Sequence, residues 1–294
     1  DLPSFTEVDR YLLSNNDIPA EALAKLDTGK APRSSYLSSD ASKIQVFVLF
    51  GLDGVDSSDS VMLVALDRVH QKIKLISLAR DSYVFIPEFA SFSKLAYSYT
   101  WGGAAMAVKN LNYNYYLNVS DYIAVDFDQL AQIIDRIGGV TVNIDEDEAR
   151  YLSNYPNVHV GDCLLDGKTA VSYARIRKSS ATDSDRKRTG RQREVILSIL
   201  NTLQTMPLSQ YPGFVRDCLG MCATSFEAET LLTMAAETLG QNYTVEQYFF
   251  PEGQVDWWAG LIKEYFYYVY DLRRASDRIY RIIYEELYIS GYDD

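Results

Sequence analysis

The run Ile44–Phe50 (IQVFVLF) is apolar at six of its seven positions. A strand that apolar has to be covered on both faces, so it belongs in the middle of a sheet with helices packed on it. Ser60–Leu66 and Lys72–Leu78 read as further strands, joined through the acidic turn GLDGVDSSD and the hairpin DRVHQK. Helix and strand patterns then alternate. Gly103–Leu111 reads as a helix, Tyr122–Val125 as a strand, and Asp128–Ile137 as a helix stopped by Gly138-Gly139. Val140–Ile144 is a strand, Asp166 caps a short helix ending at Ala174, and a long helix covers Arg186–Leu203. A helix at Glu227–Leu239, a strand at Tyr243–Phe249 and a Tyr-rich helical tail from Asp256 complete the pattern. The expected architecture is a single α/β domain over residues 44–290, a central mixed β-sheet flanked by helices on both faces, after a partly ordered lead-in over 1–43.

Charge says what such a domain would bind. The chain carries a net charge of −12, which argues against a nucleic-acid surface. Yet eight of its 28 Lys and Arg residues fall between Arg175 and Glu194, a window holding only three acids. Arginine's planar fork suits phosphate oxygens. Projected at 100° per residue, Arg188 and Gln192 lie on the apolar stripe Val195, Ile196, Ile199, Leu200 and Leu203, and Arg191 lies at its edge. Buried guanidinium groups need an anionic partner, either a phosphate ligand or the protein's own acids. Arg175 and Arg177 stand at i, i+2 spacing and share a side if the chain is extended there.

A second cluster is acidic. Asp53, Asp56 and Asp59 sit in the turn after a central strand, where α/β ligand sites gather, and supply the hard oxygens a divalent cation prefers. A solvated turn explains the same residues. A third is Arg80-Asp81, which ends an apolar strand as a functional pair or a simple ion pair.

Other motifs fail. GDCLLDGKT has five residues before GK where a P-loop needs four, and the two histidines, His70 and His159, fit no zinc spacing. Three cysteines are too few for a disulfide framework. No apolar run reaches the roughly 18 residues of a membrane span.

Six blocks occur in the order of the LytR-CpsA-Psr family: VFVLFGLDGVDSSDSVMLVALD, KIKLISLARDSYVFIP, KLAYSYTWGG, DYIAVDFDQLAQIIDRIGGVTVNI, LLDGKTAVSYARIRK and DSDRKRTGRQREVIL. From about Ile44 to Leu200 the chain resembles that family. The resemblance implies an extracellular domain on the bacterial cell membrane, held by an N-terminal anchor that would precede Asp1. It implies a phosphotransferase that moves a glycosyl-phosphate polymer, such as teichoic acid or capsule, from a polyprenyl-pyrophosphate carrier to peptidoglycan, with no nucleic-acid partner. Matched position by position, Asp53 and Asp59 fall at metal-binding aspartates, with Asp56 as a substitute for Asp53, and Mg²⁺ or Mn²⁺ as the cation. Arg80, Arg175, Arg177, Arg188, Arg191 and Gln192 fall where the family surrounds the pyrophosphate. Arg80, Asp81, Arg177 and Arg191 are the expected catalytic set, Asp81 accepting the acceptor's proton or orienting Arg80. Two features depart from the pattern: Ser58 stands where an arginine usually precedes SDS, and the loop from Asp53 to Asp59 is short. They keep open a polyprenyl-(pyro)phosphate-binding protein or a pyrophosphatase without transferase activity.

Overall fold

A computed structural model describes residues 12–14, 17–26, 36–37, 39–54, 58–177, 181–239, 243–251, 255–284 and 288–289. Its strands begin with β1 (Tyr36–Leu37), β2 (Ile44–Leu52), β3 (Ser58–Asp67), β4 (Lys72–Leu78), β5 (Tyr83–Ile86) and β6 (Ser91–Lys94). There follow β7 (Asp121–Asp126), β8 (Val140–Ile144), β9 (Gly161–Leu165), β10 (Ala223–Thr224) and β11 (Thr244–Phe250). The last are β12 (Trp257–Ile262), β13 (Tyr265–Tyr270) and β14 (Tyr288–Ile289). The main sheet has six strands in the order β10-β7-β2-β3-β4-β11. The expected α/β class holds. Strand β3 is buried at every position but Ser60, as a centrally placed apolar strand must be.

The chain divides into two compact units, Asp1–Tyr122 with Glu246–Asp294, and Ile123–Val245. In the first, β2, β3 and β4 form antiparallel ladders with Phe47 opposite Val64 and Leu63 opposite Ile76. Helices Tyr97–Tyr115 and Leu272–Tyr284 pack on β3. The former is kinked where Gly102 and Gly103 leave helical geometry, Gly103 at φ 63°. Lead-in residues join this unit's core: Leu13, Ile18 and Ala22 are buried with Tyr83, Ile262 and Tyr267.

The expected helical tail from Asp256 is a correction. Trp257–Ile262 and Tyr265–Tyr270 form a β-hairpin, and among the described residues of the tail only Leu272–Tyr284 is helical. Ile262 faces Tyr265 across a two-residue turn that Lys263 enters at φ 54°. The aromatic and β-branched run YFYYVY packs better on a pleated surface than round a helix, where such side chains lose χ1 freedom. Beneath it, Tyr83 stacks on Phe92 at 4.8 Å and meets Tyr267 edge-on at 6.0 Å. The hairpins β5–β6 and β8–β9 also exceed what periodicity showed.

In the second unit, helix Phe127–Arg136 opens on a capping box, Asp126 with Gln129. Gly138 and Gly139 end it at φ 85° and 103°, as the sequence suggested. Helix Gly167–Ala174 starts at its Asp166 cap, and Gly167 lies so close to the first helix that a Cβ would stand 2.0 Å from the Ala131 carbonyl oxygen. Gly167→Ala must therefore push two helices apart. A loss of about 1–3 kcal/mol is expected, from overpacking against backbone that cannot turn aside, and a denaturant melt that matched wild type would refute it.

Candidate functional site

Antiparallel register builds the first cluster. The β3–β4 register ends with Val61 opposite Leu78, and two residues beyond that pair the side chains of Asp59 and Arg80 meet. Their side chains form an ion pair, Arg80 Nη1 to Asp59 Oδ1, with 22% and 11% of their surface exposed. Beyond β4 the chain turns tightly: Ser82 donates its N–H and its hydroxyl to the Ala79 carbonyl, at 3.0 and 2.7 Å. The Arg80 carbonyl accepts from Ala96 N–H, and the Asp81 carbonyl accepts from Tyr268 N–H at 2.9 Å. Both backbone neighbours of the site are thereby tied down.

Asp81 Oδ2 lies 3.5 Å from Arg80 Nε, and its Oδ1 accepts from Lys94 Nζ at 2.7 Å. Charges alternate along the row Asp59, Arg80, Asp81, Lys94. The Lys94 ammonium also faces the rings of Tyr97, Tyr265 and Tyr267 at 5.4–5.9 Å. Sequence reasoning missed Lys94, although it opens the KLAYSYTWGG block. A lysine that ends the short strand SFSK carries no spacing that marks it as a partner for Asp81.

Asp53 and Asp59 lie at the loop end of the β2–β3 ladder, where Leu52 pairs with Ser58 across a bulge. Asp53 is half-buried, and Asp56 lies outside the described residues. Ser58 is fully buried and its hydroxyl donates to the Ser60 carbonyl, so it turns inward where an arginine would have offered charge. Among the described residues no three His, Cys, Asp or Glu side chains close round a metal. The donors still suit a hard cation. Asp59 already holds a positive group, and a cation such as Mg²⁺ takes only one or two carboxylates when substrate oxygens complete its shell.

The second unit holds the arginines. The chain is alternately exposed, buried and exposed at Arg175, Ile176 and Arg177, so both guanidinium groups face outward while Ile176 anchors the segment. Arg175 lies over the Phe127 ring at 4.4 Å. In helix Ala181–Gln204, Arg188 and Arg191 are buried, at 2% and 4% exposure, and Gln192 is half-buried, as the helical projection expected. Arg186 and Lys187 are exposed.

For Arg191 the anion is internal. Its Nε donates to Glu148 Oε1 at 2.7 Å and its Nη1 to the Ile176 carbonyl at 3.1 Å. Glu148 also accepts from Asp145 N–H at 3.0 Å in the capping box of helix Glu146–Tyr151. Arg191 thus clamps the residue between Arg175 and Arg177. Nearby, Tyr173 donates to Glu194; burial first, then that bond, push its hydroxyl far above the usual range and keep it protonated. The Gln192 side-chain oxygen is buried with no hydrogen-bond partner among the described residues. Glu148 was also missed, although the Asp145–Glu148 spacing is a readable capping box.

A family model, the LytR_cpsA_psr family, matches residues 16–280. The chain belongs to this family. Among its relatives, the polyisoprenyl-teichoic acid–peptidoglycan teichoic acid transferase TagU of Oceanobacillus iheyensis is 29% identical over 230 residues, 74% of this chain and 69% of that protein. The regulatory protein MsrR of Staphylococcus aureus is 30% identical over 59% of this chain and 54% of its own length, so the chain spans about half of MsrR. The crystal structure of Bacillus subtilis TagT superposes with a TM-score of 0.68 at 19% identity, covering 88% of this chain and 99% of that one. A TagT structure described as bound to LIIa-WTA gives 0.67 at 20% identity, over 90% and 97%. At these identities the likeness shows that this LytR-CpsA-Psr chain shares the TagT fold.

Proposed function

We propose that this chain is a phosphotransferase that moves a glycosyl-phosphate polymer from a polyprenyl-pyrophosphate carrier to a hydroxyl of peptidoglycan. The observation that carries it is the Asp59–Arg80–Asp81–Lys94 row, a carboxylate and an arginine held at the end of a rigid ladder with a second ion pair behind them. TagU's name, and the TagT structure bound to LIIa-WTA, support a glycopolymer as the group transferred. The reaction would lie on the extracellular face of a bacterial membrane, where carrier lipid and peptidoglycan meet, with the chain tethered by an N-terminal anchor.

In the proposed reaction the acceptor hydroxyl attacks the phosphorus that bears the sugar, and the pyrophosphate P–O bond breaks to release polyprenyl phosphate. Arg80 exchanges the Asp59 carboxylate for a pyrophosphate oxygen and stabilises the charge that develops there. Asp59, with Asp53 or Asp56, would hold Mg²⁺ or Mn²⁺, which supplies further charge neutralisation. Asp81, fixed by Lys94, keeps Arg80 aligned or takes the proton of the attacking hydroxyl. In the second unit, exposed Arg175 and Arg177 offer forks to phosphate, and buried Arg191 sets their spacing.

The test is transfer of a labelled sugar-phosphate from a polyprenyl-pyrophosphate donor to peptidoglycan fragments, with Mg²⁺ or with chelator. Product that requires the metal is expected, and Arg80→Ala should lower the rate by about 100-fold or more. Phosphate released without acceptor would instead mark a pyrophosphatase. Bound lipid without turnover would mark a carrier-binding protein in which Ser58 replaces the charge an arginine would have supplied.

A further inference from the structure

The second unit contains a cleft of about 610 Å³ that none of the phosphate chemistry above uses. Its size falls within the roughly 300–1,000 Å³ of small-ligand sites. One side is the loop that carries Asn154, Tyr155 and Asn157, and the other is the β9 end with Leu164 and Asp166. Gly138 stands on the rim, where a Cβ would meet nothing within 4 Å, so the backbone is open to close approach.

The lining selects a ligand class. Asp135 spends one carboxylate oxygen on Gly167 N–H at 2.7 Å, and Asp166 spends one on Thr169 N–H at 2.8 Å. Each has a second oxygen able to accept a hydrogen bond. Hydrogen bonds from the Thr169 side chain and backbone hold the Asp166 carboxyl below its usual range, so it stays an acceptor. Against these two carboxylates the lining sets a single cation, Lys168, beside Asp166, so the cleft carries no excess positive charge to hold a phosphate. Asn154 and Asn157 are exposed amides that both donate and accept. Apolar facets lie between these groups: Leu164 is 65% exposed, and the half-buried Tyr155 is pinned by its hydroxyl to Ser172 Oγ at 2.5 Å. Planar polar groups that meet hydroxyls, interleaved with surfaces that meet C–H faces, match a sugar ring rather than a lipid or an anion.

We infer that this cleft binds a saccharide, namely uncharged pyranose residues that present hydroxyl groups and C–H faces. It deepens the glycopolymer assignment, on which only the source of the sugar depends: the peptidoglycan acceptor or the polymer on the donor.

The experiment titrates chitotetraose into the ¹⁵N-labelled full chain and follows amide shifts. Saturable shifts confined to residues 135–139, 154–157 and 164–169 are expected. Asn154→Ala and Leu164→Ala should each weaken binding at least ten-fold, while Leu208→Ala, exposed elsewhere in the same unit, should leave it unchanged. Both test side chains are exposed, and a thermal melt confirms that each variant folds. No saturable shift in these residues, or saturation elsewhere, overturns the cleft. In the transfer assay, a raised KM of Leu164→Ala for the acceptor alone assigns the acceptor glycan, and a raised KM for the donor alone assigns the polymer. Unchanged KM for both overturns the link to transfer. Because the titration contains no donor, a failed transferase assay leaves the cleft standing, and a failed titration leaves the transferase standing.

Discussion

Lys74→Met is expected to cost about 3–5 kcal/mol of stability, the usual loss when one partner of a buried ion pair is removed. Lys74 and Asp67 are both fully buried, and Lys74 Nζ donates to Asp67 Oδ2 and to the Ile283 carbonyl, each at 2.9 Å. Asp67 also accepts from Val69 and His70 N–H, each at 3.0 Å, and its Oδ2 lies 2.7 Å from His70 Nδ1. It therefore caps the β3–β4 turn while neutralising the lysine. Removing the ammonium strands a carboxylate in the core and orphans a helix-end carbonyl. The double variant Asp67→Asn, Lys74→Met keeps the turn's acceptor without a lone charge, and should recover more than half of the loss. Chemical denaturation at unchanged m-value reads both. A Lys74→Met protein within about 1 kcal/mol of wild type would show that the pair is not the constraint claimed.

The same cluster sets an acid limit. Burial works to raise the Asp67 carboxyl, but the His70 and Lys74 hydrogen bonds win and hold it below the usual 3.8. A depressed folded-state value means that its contribution is fully present above the unfolded value of 3.8. It is lost as pH falls through the lower folded value. Stability should therefore fall below about pH 4 with a slope that Asp67→Asn reduces.

The second large effect separates two arginines that look equivalent in the sequence. Arg191→Ala should lose about 3–5 kcal/mol, because Glu148 is left buried without its counter-charge and the Ile176 carbonyl without its donor. Transfer should fall with it, since Arg175 and Arg177 lose the anchor between them. Arg177→Ala should melt like wild type, because the side chain is exposed, and yet lower transfer about 100-fold or more, near the 3 kcal/mol of one lost charge-stabilising contact. Thermal melts beside initial rates distinguish the two. An unshifted melt for Arg191→Ala removes its anchoring role, and wild-type rates for Arg177→Ala remove that residue from the phosphate chemistry.

Much of this was legible in one dimension. Period and capping are local properties, so β8 came out at Val140–Ile144 as read, and the Asp166 cap and the Gly138-Gly139 stop were in place. Helical projection predicted that Arg188 and Arg191 are buried, because a side chain's direction on a helix depends only on 100° steps. The blocks that resemble the LytR-CpsA-Psr family named Asp59, Arg80, Arg175 and Arg177 as candidates, and the structure pairs the first two.

Partners were not legible, because they depend on contacts between residues far apart in the chain. That a buried arginine needs an anion follows from its charge, but only folding brings Glu148, 43 residues away, to Arg191. Lys94 becomes the partner of Asp81 only because the β5–β6 hairpin returns it there. The tail failed for a related reason: tyrosine-rich segments serve helix and strand alike, and packing of β13 against Tyr83 decided for the strand. Sequence by itself determined the class of fold and the kinds of charge this protein carries, since both are written in local pattern and side-chain chemistry. Tertiary structure alone decided which charges are spent on one another and which face outward, since burial and pairing are set by long-range packing.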